Sequence, residues 1–138
     1  MISEHRHRRR VQFYETDLAG VVHFSWYYRY AEEAEHAMWR AAGRSIDGGG
    51  IGWPRVAASF EFHEPLRFED EFEVLVRVAA VTDKTIRYTT VITRDQTTIA
   101  TGTHTAICVS KRPGEPMKAV SIPADLAALL KVAVPTRD

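Results

Sequence analysis

The chain has 138 residues, of which 45% are hydrophobic and 26% are charged. Its 18 basic and 18 acidic side chains give a formal net charge of +0, so no overall field recruits nucleic acid or an anionic membrane. The single cysteine, Cys108, excludes an internal disulfide, and no run approaches the roughly 20 apolar residues that a membrane helix needs. We therefore expect one domain over residues 1–138, in a reducing cytoplasm, with no membrane span and no nucleic-acid partner.

The first third of the chain predicts a strand and then a long helix. Residues 1–10 are locally basic and are interpreted as a solvated lead-in to a short strand at residues 9–14. The helix is predicted over residues 25–42, with Ser25 as its N-cap and Gly43 as a left-handed C-cap. Its predicted buried stripe consists mostly of small residues, which lets a helix lie close against a sheet: Tyr27, Ala31, Ala34, Met38 and Ala41.

The rest of the chain is dominated by strand patterns. The Gly-rich segment 43–54 lacks the Lys-Ser/Thr ending of a phosphate-binding loop and is interpreted as a flexible connection or a lid. Asp83-Lys84 and Asp95-Gln96 lie where hairpin turns belong, so the strands are expected to form an antiparallel meander. A short helix is predicted at residues 123–130. The element order predicts an α+β fold, in which one long helix covers an antiparallel sheet. The four alternating stretches are residues 55–64, 71–81, 85–94 and 98–110.

Asp17 is the first candidate for a catalytic residue. It lies between the first predicted strand and a Gly-containing turn that leads into the long helix. A helix N-terminus presents unpaired N–H groups and the positive end of the helix dipole, which can polarise a carbonyl. A carboxylate beside such a carbonyl can attack it or can activate water. From spacing alone, a turn or capping role for Asp17 is the more frequent explanation.

The segment around Asp17, FYETDLAGVVHFSWYYRYAEEAE (residues 13–35), resembles the opening motif of a known family. This family comprises the hotdog-fold thioesterases of the 4-hydroxybenzoyl-CoA type and includes the YbgC-like acyl-CoA thioesterases. The blocks FEFHEPLRFEDEFEV (residues 60–74) and MKAVSIP (residues 117–123) resemble the same family. The residues that match the first motif are Tyr14, Thr16, Asp17, Gly20, Val21, Val22, Tyr27 and Glu32.

The resemblance implies a hotdog fold, which is an antiparallel β-sheet wrapped around one long central helix. It implies an acyl-CoA thioesterase, which converts an acyl-CoA to a carboxylic acid and free CoA. Asp17 is then the nucleophile or the general base, and the backbone N–H of Phe24 at the helix start is the oxyanion donor. Gly20 allows the substrate to approach the backbone closely. Protomers of the family pair edge to edge around the substrate, which implies a homodimer or a homotetramer.

The same resemblance places Tyr14, His23, Tyr27 and Glu32 around the substrate pocket. Many YbgC-like members have Tyr-His where this chain has His23-Phe24. A shift of one residue rotates a side chain by about 100° around a helix, so a direct catalytic role for His23 does not follow. A different branch of hotdog thioesterases uses a helix carboxylate, which makes three glutamates rivals of Asp17. They are Glu32, Glu33 and Glu35.

The phosphates of CoA need cations, for which Arg87, Lys111 and Arg112 are the candidates. No cofactor is expected, because CoA is part of the substrate, and the six histidines and one cysteine show no metal-ligand spacing. His104, on a predicted strand, is expected to be packed and hydrogen-bonded. Two alternative functions stay open: a hotdog hydratase or dehydratase, and a non-catalytic acyl-thioester-binding module. The acyl group, and CoA versus acyl carrier protein as its carrier, also stay open.

Overall fold

A five-stranded antiparallel sheet, in the order β1-β4-β5-β6-β3, forms the main part of the molecule. A computed structural model of the chain describes residues 1–46 and 48–134. A small second sheet has the order β2-β7-β8. The strands and helices are β1 (Glu4–Arg10), α1 (Ser25–Ala41), β2 (Ile51–Gly52), β3 (Arg55–Phe62), β4 (Glu71–Val81), β5 (Thr85–Arg94), β6 (Thr97–Ile107), β7 (Val109–Ser110), β8 (Lys118–Ala119) and α2 (Ala124–Ala127).

The helix α1 packs against one face of the main sheet, which confirms the predicted α+β arrangement. Tyr30 and Trp39 on α1 are almost fully buried, together with the small side chains of Ala31 and Ala34. Fully burying one large side chain stabilises a fold by about 1.5–3 kcal/mol, so this contact is a main source of stability. Ala41, predicted to be part of the buried stripe, is exposed. The core positions on the strands alternate, as a half-buried sheet requires: Phe72, Val74, Val76, Val78, Ile86, Tyr88 and Ile92.

The first strand is the basic segment itself, so the interpretation of residues 1–10 as a solvated lead-in is wrong. β1 pairs with β4 from Glu4 opposite Arg77 to Arg10 opposite Glu71. Each of these facing pairs carries opposite charges, which favours the pairing across the strands. The predicted strand at residues 9–14 instead ends at Arg10, and a short 3-10 turn follows at Phe13–Glu15.

The strand order corrects the predicted meander. β4, β5 and β6 are consecutive neighbours and are joined at the predicted turns. In the second turn, Asp95 and Gln96 have φ angles of 47° and 67°, which is the geometry of a two-residue type I′ turn. β3 does not lie beside β4. It pairs with β6, with Phe62 opposite Ala100, and therefore lies at the edge of the sheet.

The later segments differ from their predicted boundaries. The stretch predicted as one strand over residues 98–110 is divided between β6 and β7, with the buried Cys108 between them. Part of the Gly-rich segment forms β2, which pairs with β7, although Asp47 lies outside the described residues. The C-terminal helix covers Ala124–Ala127, and Pro123 is its N-cap. Over residues 1–46 and 48–134, no helix is long and apolar enough to cross a bilayer.

β3 is open on one side. Within the part of the chain that the structure describes, its only strand neighbour is β6. The side chains of Val56 and Phe62 on this strand are 59% and 47% exposed. An open edge with exposed apolar side chains is a ready template for pairing with another chain.

Candidate active site

Asp17 lies in a tight loop that precedes α1. Thr16 and Val22 form an antiparallel bridge at the base of this loop. Inside it, the N–H of Asp17 donates to the carbonyl of Val21 at 2.8 Å. This local pairing fixes the position of Asp17 relative to the helix start, because α1 begins only three residues after Val22.

One oxygen of the Asp17 carboxylate is held by the backbone of the same loop. Its Oδ1 accepts hydrogen bonds from the N–H groups of Ala19 at 2.8 Å and Val21 at 3.4 Å. Gly20 has a φ of 78°, a conformation that favours glycine, and this allows the loop to close. The side chain of Asp17 is exposed, and none of the described cationic side chains forms an ion pair with it. The second carboxylate oxygen, Oδ2, therefore remains available to a substrate.

The start of α1 carries an unpaired donor. The N-cap is Phe24, not the predicted Ser25, and it contributes no side-chain hydrogen bond. The N–H of Ser25 donates to His23 Nδ1 at 3.3 Å, so the imidazole of His23 caps the helix. Across residues 1–46 and 48–134, the N–H of Phe24 has no acceptor. An N–H at the positive end of a helix dipole can bind a developing oxyanion.

An apolar cleft of about 250 Å³ adjoins the helix start, and Phe24 and Tyr27 form part of its wall. Burial raises the pKa of Tyr27 above its usual value, and the negative charge of Asp17 adds to this rise. Asp17 is therefore within electrostatic reach of the cleft wall. The residues that line the cleft are Val21, Val22, Phe24, Tyr27, Phe62, His63, Glu64 and Pro65.

A buried carboxylate, Glu15, anchors the Asp17 loop to the rest of the fold. Its side chain is fully buried, and its Oε1 accepts from Arg9 Nη1 at 2.7 Å, from the N–H of Gln12 at 2.8 Å and from the hydroxyl of Tyr30 at 2.9 Å. Burial, together with this hydrogen bond to Glu15, raises the pKa of Tyr30 well above its usual value. The backbone carbonyl of Glu15 accepts the N–H of His23 at 2.9 Å. Glu15 thus connects β1, the loop and α1.

We expect Glu15→Gln to lower kcat several-fold with little change in KM. The amide keeps the size of the side chain but loses the charge that faces Arg9, which costs about 1–3 kcal/mol and loosens the loop that positions Asp17. Steady-state kinetics on a thioester substrate, at a temperature where the variant is folded, checks this. Glu33→Gln is the matched control, because Glu33 pairs with the same Arg9 at 2.6 Å but is 38% exposed. Equal kcat in wild type and Glu15→Gln would contradict a positioning role.

The three helix glutamates are all paired with arginine. Glu32 lies 3.4 Å from Arg55, and Glu33 pairs with Arg9. Glu35 is fully buried, and its Oε1 lies 3.0 Å from Arg55 and 2.7 Å from His104 Nε2. A paired carboxylate is a weaker nucleophile or base than one without a cation, so this pairing favours Asp17.

The sequence did not predict that Glu35, Arg55 and His104 form a cluster. His104 is packed and hydrogen-bonded, as expected, and its ring stacks on Tyr88 at a centroid distance of 4.9 Å. The partner Glu35 was considered only as a rival catalyst. Its spacing of four residues from the buried Ala31 and Trp39 on the same helix face is the signal that could have placed it in the core.

The remaining predicted residues do not gather around Asp17 within one chain. Tyr14 is 68% exposed, and its ring packs against the ring of Trp26 at a centroid distance of 5.6 Å. Arg87 is exposed on β5, opposite Thr105, and therefore lies towards the other end of the sheet from Phe62. Lys111 and Arg112 are exposed and follow β7. None of the described residues forms a group of three or more side chains that could hold a metal ion.

Residues 11–130 match the model of the Thioesterase-like superfamily. The chain belongs to this superfamily. The family resemblance noted in the motif around Asp17 is thereby confirmed, and membership of this superfamily supports thioesterase activity.

Individual proteins agree with this assignment. An Aquifex aeolicus protein named "Putative esterase" is 34% identical over 128 residues, which cover 91% of this chain and 96% of that protein. The crystal structure of the hypothetical protein AQ1494 from Aquifex aeolicus is similar with a TM-score of 0.84 and 32% identity, over 91% of this chain and 98% of that chain. The structure of the BH1999 gentisyl-coenzyme A thioesterase is similar with a TM-score of 0.79 and 25% identity, over 88% of this chain and 98% of that chain.

Proposed function

We propose that the protein is an acyl-CoA thioesterase that releases a carboxylic acid and free CoA, with Asp17 as its catalytic carboxylate. The observation that carries this proposal is the environment of Asp17. Its exposed carboxylate has no cationic partner among the described side chains, and it lies beside the N-cap of α1, Phe24, whose N–H has no acceptor among the described residues. Every helix glutamate that could replace it is paired with arginine.

The geometry supports two routes through the same groups. The thioester carbonyl oxygen binds the N–H of Phe24, which stabilises the negative charge of the tetrahedral intermediate. In the first route, Asp17 Oδ2 attacks the carbonyl carbon, CoA leaves as the thiolate, and water hydrolyses the mixed anhydride. In the second route, Asp17 takes a proton from a water molecule that attacks the same carbon. Both routes end with a carboxylic acid and CoA.

CoA release across an acyl-CoA panel tests this function. Purified protein is mixed with short-chain, long-chain and aromatic acyl-CoA, and a thiol reagent measures free CoA. Turnover on at least one member is expected. Binding of acyl-CoA without any thiol release would identify a binding module, and hydration of an enoyl-CoA without thiol release would identify a hydratase; either outcome would overturn the proposal.

The open edge of β3 supports a second copy of this chain as the partner. Apolar side chains near Asp17 are also exposed, with Leu18 fully exposed and Phe24 60% exposed. Antiparallel pairing of two β3 strands would bring the start of one strand beside the end of the other. The partner's Lys111 and the partner's Arg112 would then approach the Asp17 end of the first copy, where the phosphates of CoA need cations.

We expect the protein to be at least a dimer at micromolar concentration. Light scattering should give a mass of at least twice the 15.6 kDa protomer. Val56→Glu should shift the protein towards the monomer and lower turnover, because it places a charge on the exposed apolar part of β3 that pairing with another chain would bury. Val132→Glu is the control, since Val132 is 47% exposed and lies outside β3. A wild-type mass near one protomer would contradict this assembly.

A further inference from the structure

A second cavity, of about 160 Å³, lies between α1 and β3 and is separate from the cleft beside Asp17. Most of its wall is apolar, and the small side chains of Ala31 and Ala58 leave space in it. One polar residue in the wall, His104 on β6, is 93% buried, since only 7% of it is exposed. The residues that line the cavity are Tyr28, Arg29, Ala31, Glu32, Arg55, Ala58, Phe60 and His104.

Only one of the two ring nitrogens of His104 has a hydrogen-bond partner among the described residues. Its Nε2 lies 2.7 Å from Glu35 Oε1, and a carboxylate can only accept, so Nε2 carries the proton. Stacking on Tyr88 fixes the plane of the ring. Over the described residues, Nδ1 has no hydrogen-bond partner. His104 lines the cavity, so a ring nitrogen of this nearly buried side chain that has no protein partner is open to a ligand atom in the cavity.

The charges around His104 favour a neutral ligand group. Arg55 neutralises Glu35, with its Nη1 at 3.0 Å from the carboxylate, so the ring does not need to supply the compensating charge. In a neutral imidazole with the proton on Nε2, Nδ1 holds a lone pair and accepts a hydrogen bond. Arg55 also pairs with Glu32, and with Arg29 as the second cation the formal charges of these two arginines and two glutamates sum to zero. A hydroxyl group is the donor that suits such a balanced, mostly apolar cavity.

Aromatic side chains connect this cavity with the cleft. Phe60 lines the cavity, Phe62 lines the cleft, and their rings stack at a centroid distance of 6.2 Å. Ala58 pairs with His104, and four residues later Phe62 lies beside the cleft, so the two sites are roughly 13 Å apart along β3. An extended carbon chain with bonds of about 1.5 Å advances about 1.25 Å per carbon, so roughly ten carbons span this distance.

We propose that the cavity at His104 is the subsite for the far end of the acyl group, and that His104 Nδ1 accepts a hydrogen bond from a terminal hydroxyl of a medium-length acyl chain. This inference rests on the proposed function, because it takes the thioester to lie at Asp17. It adds a specificity-determining residue, and it names ω-hydroxyacyl thioesters of roughly ten carbons as the preferred class by the same chain estimate.

Binding of two non-hydrolysable analogues tests the subsite without depending on catalysis. The probes are the thioether analogues of decanoyl-CoA and of 10-hydroxydecanoyl-CoA, and calorimetry gives the Kd of each for the wild-type protein. The hydroxylated analogue should bind roughly 3- to 10-fold more tightly, the typical gain from one net hydrogen bond. Equal affinities, tighter binding of the plain chain, or no binding of either analogue would overturn the subsite. Failure of the proposed function would appear separately, as absent CoA release from every acyl-CoA of the panel.

Two His104 variants separate the cavity-facing nitrogen from the one that binds Glu35. His104→Gln can keep the hydrogen bond to Glu35 but offers no acceptor at the position of Nδ1, so the preference for the hydroxylated analogue should disappear. His104→Asn keeps an acceptor near Nδ1 and should retain part of the preference. Ala58→Leu fills the cavity from β3 and should weaken binding of both ten-carbon analogues relative to a six-carbon analogue. An unchanged preference in His104→Gln, or unchanged chain-length selectivity in Ala58→Leu, would contradict the assignment.

Discussion

Asp17→Asn is expected to lower kcat for acyl-CoA hydrolysis by about 10²–10⁴-fold, the usual loss when a general acid or base is removed. The substitution is nearly isosteric. The amide oxygen of asparagine can still accept the N–H of Ala19, so the loop and the helix start should keep their positions. A neutral amide, however, can neither attack a thioester carbonyl efficiently nor take a proton from water. Steady-state CoA release, with thermal unfolding as the check of the fold, measures both effects.

The matched control for Asp17→Asn is Glu32→Gln. Both changes remove one carboxylate charge, but Glu32 is paired with Arg55 and lies on the exposed surface of α1. We expect Glu32→Gln to change kcat less than about ten-fold, in line with its pairing at the surface. Binding of a non-hydrolysable acyl-CoA analogue should be similar in wild type and Asp17→Asn. A large loss in Glu32→Gln with near-normal turnover in Asp17→Asn would move the catalytic role onto the helix.

Elements whose signals are local could be predicted from the sequence. The predicted bounds of β4 and β5 agree with the structure, because their alternation and their Asp-containing turns are encoded within a few residues. The helix α1 was predicted to within one residue at its C-terminal end for the same reason. β1 was missed because its basic residues Arg6 and Arg10 are stabilised by acidic partners on β4, more than 60 residues away. The position of β3 depends on β6 in the same way, and alternation within one strand does not identify its neighbour.

The candidate site likewise has one part with a local sequence signal and another part that depends on residues distant in sequence. The loop of Asp17 and the helix start form one continuous segment, so a sequence motif could indicate them together. Glu15 could not be recognised in this way, because an acidic residue in a polar context is typical of a surface, and the helical spacing of Glu35 indicates its face but not its partners. Glu15 is stabilised by Arg9 on β1, and Glu35 by Arg55 and His104 on two other strands. Only the folded structure shows that these charges are compensated.

Because Arg55 compensates the charge of the buried Glu35, we expect Arg55→Met to lower the free energy of unfolding by about 2–4 kcal/mol. Removing one partner of a fully buried ion pair costs about 3–5 kcal/mol, because the remaining charge is left in a medium of low dielectric. The expected loss is somewhat smaller here, since the side chain of Arg55 is 25% exposed and His104 still donates to Glu35. Urea unfolding at a fixed protein concentration measures the change, since any association would make stability depend on concentration.

Adding Glu35→Gln to Arg55→Met should restore most of the lost stability. The glutamine carries no charge, and its amide oxygen can still accept the proton of His104 Nε2, so the double variant leaves no uncompensated buried charge. Arg6→Met is the control for loss of an arginine as such. Arg6 pairs with Glu73 but is 60% exposed, and this change should cost less than about 1 kcal/mol. If the double variant is as unstable as Arg55→Met alone, the loss comes from the packing of the arginine stem rather than from the charge of Glu35. Compensation of the Glu35 charge would then not be the reason that Arg55 stabilises the wall of the cavity between α1 and β3.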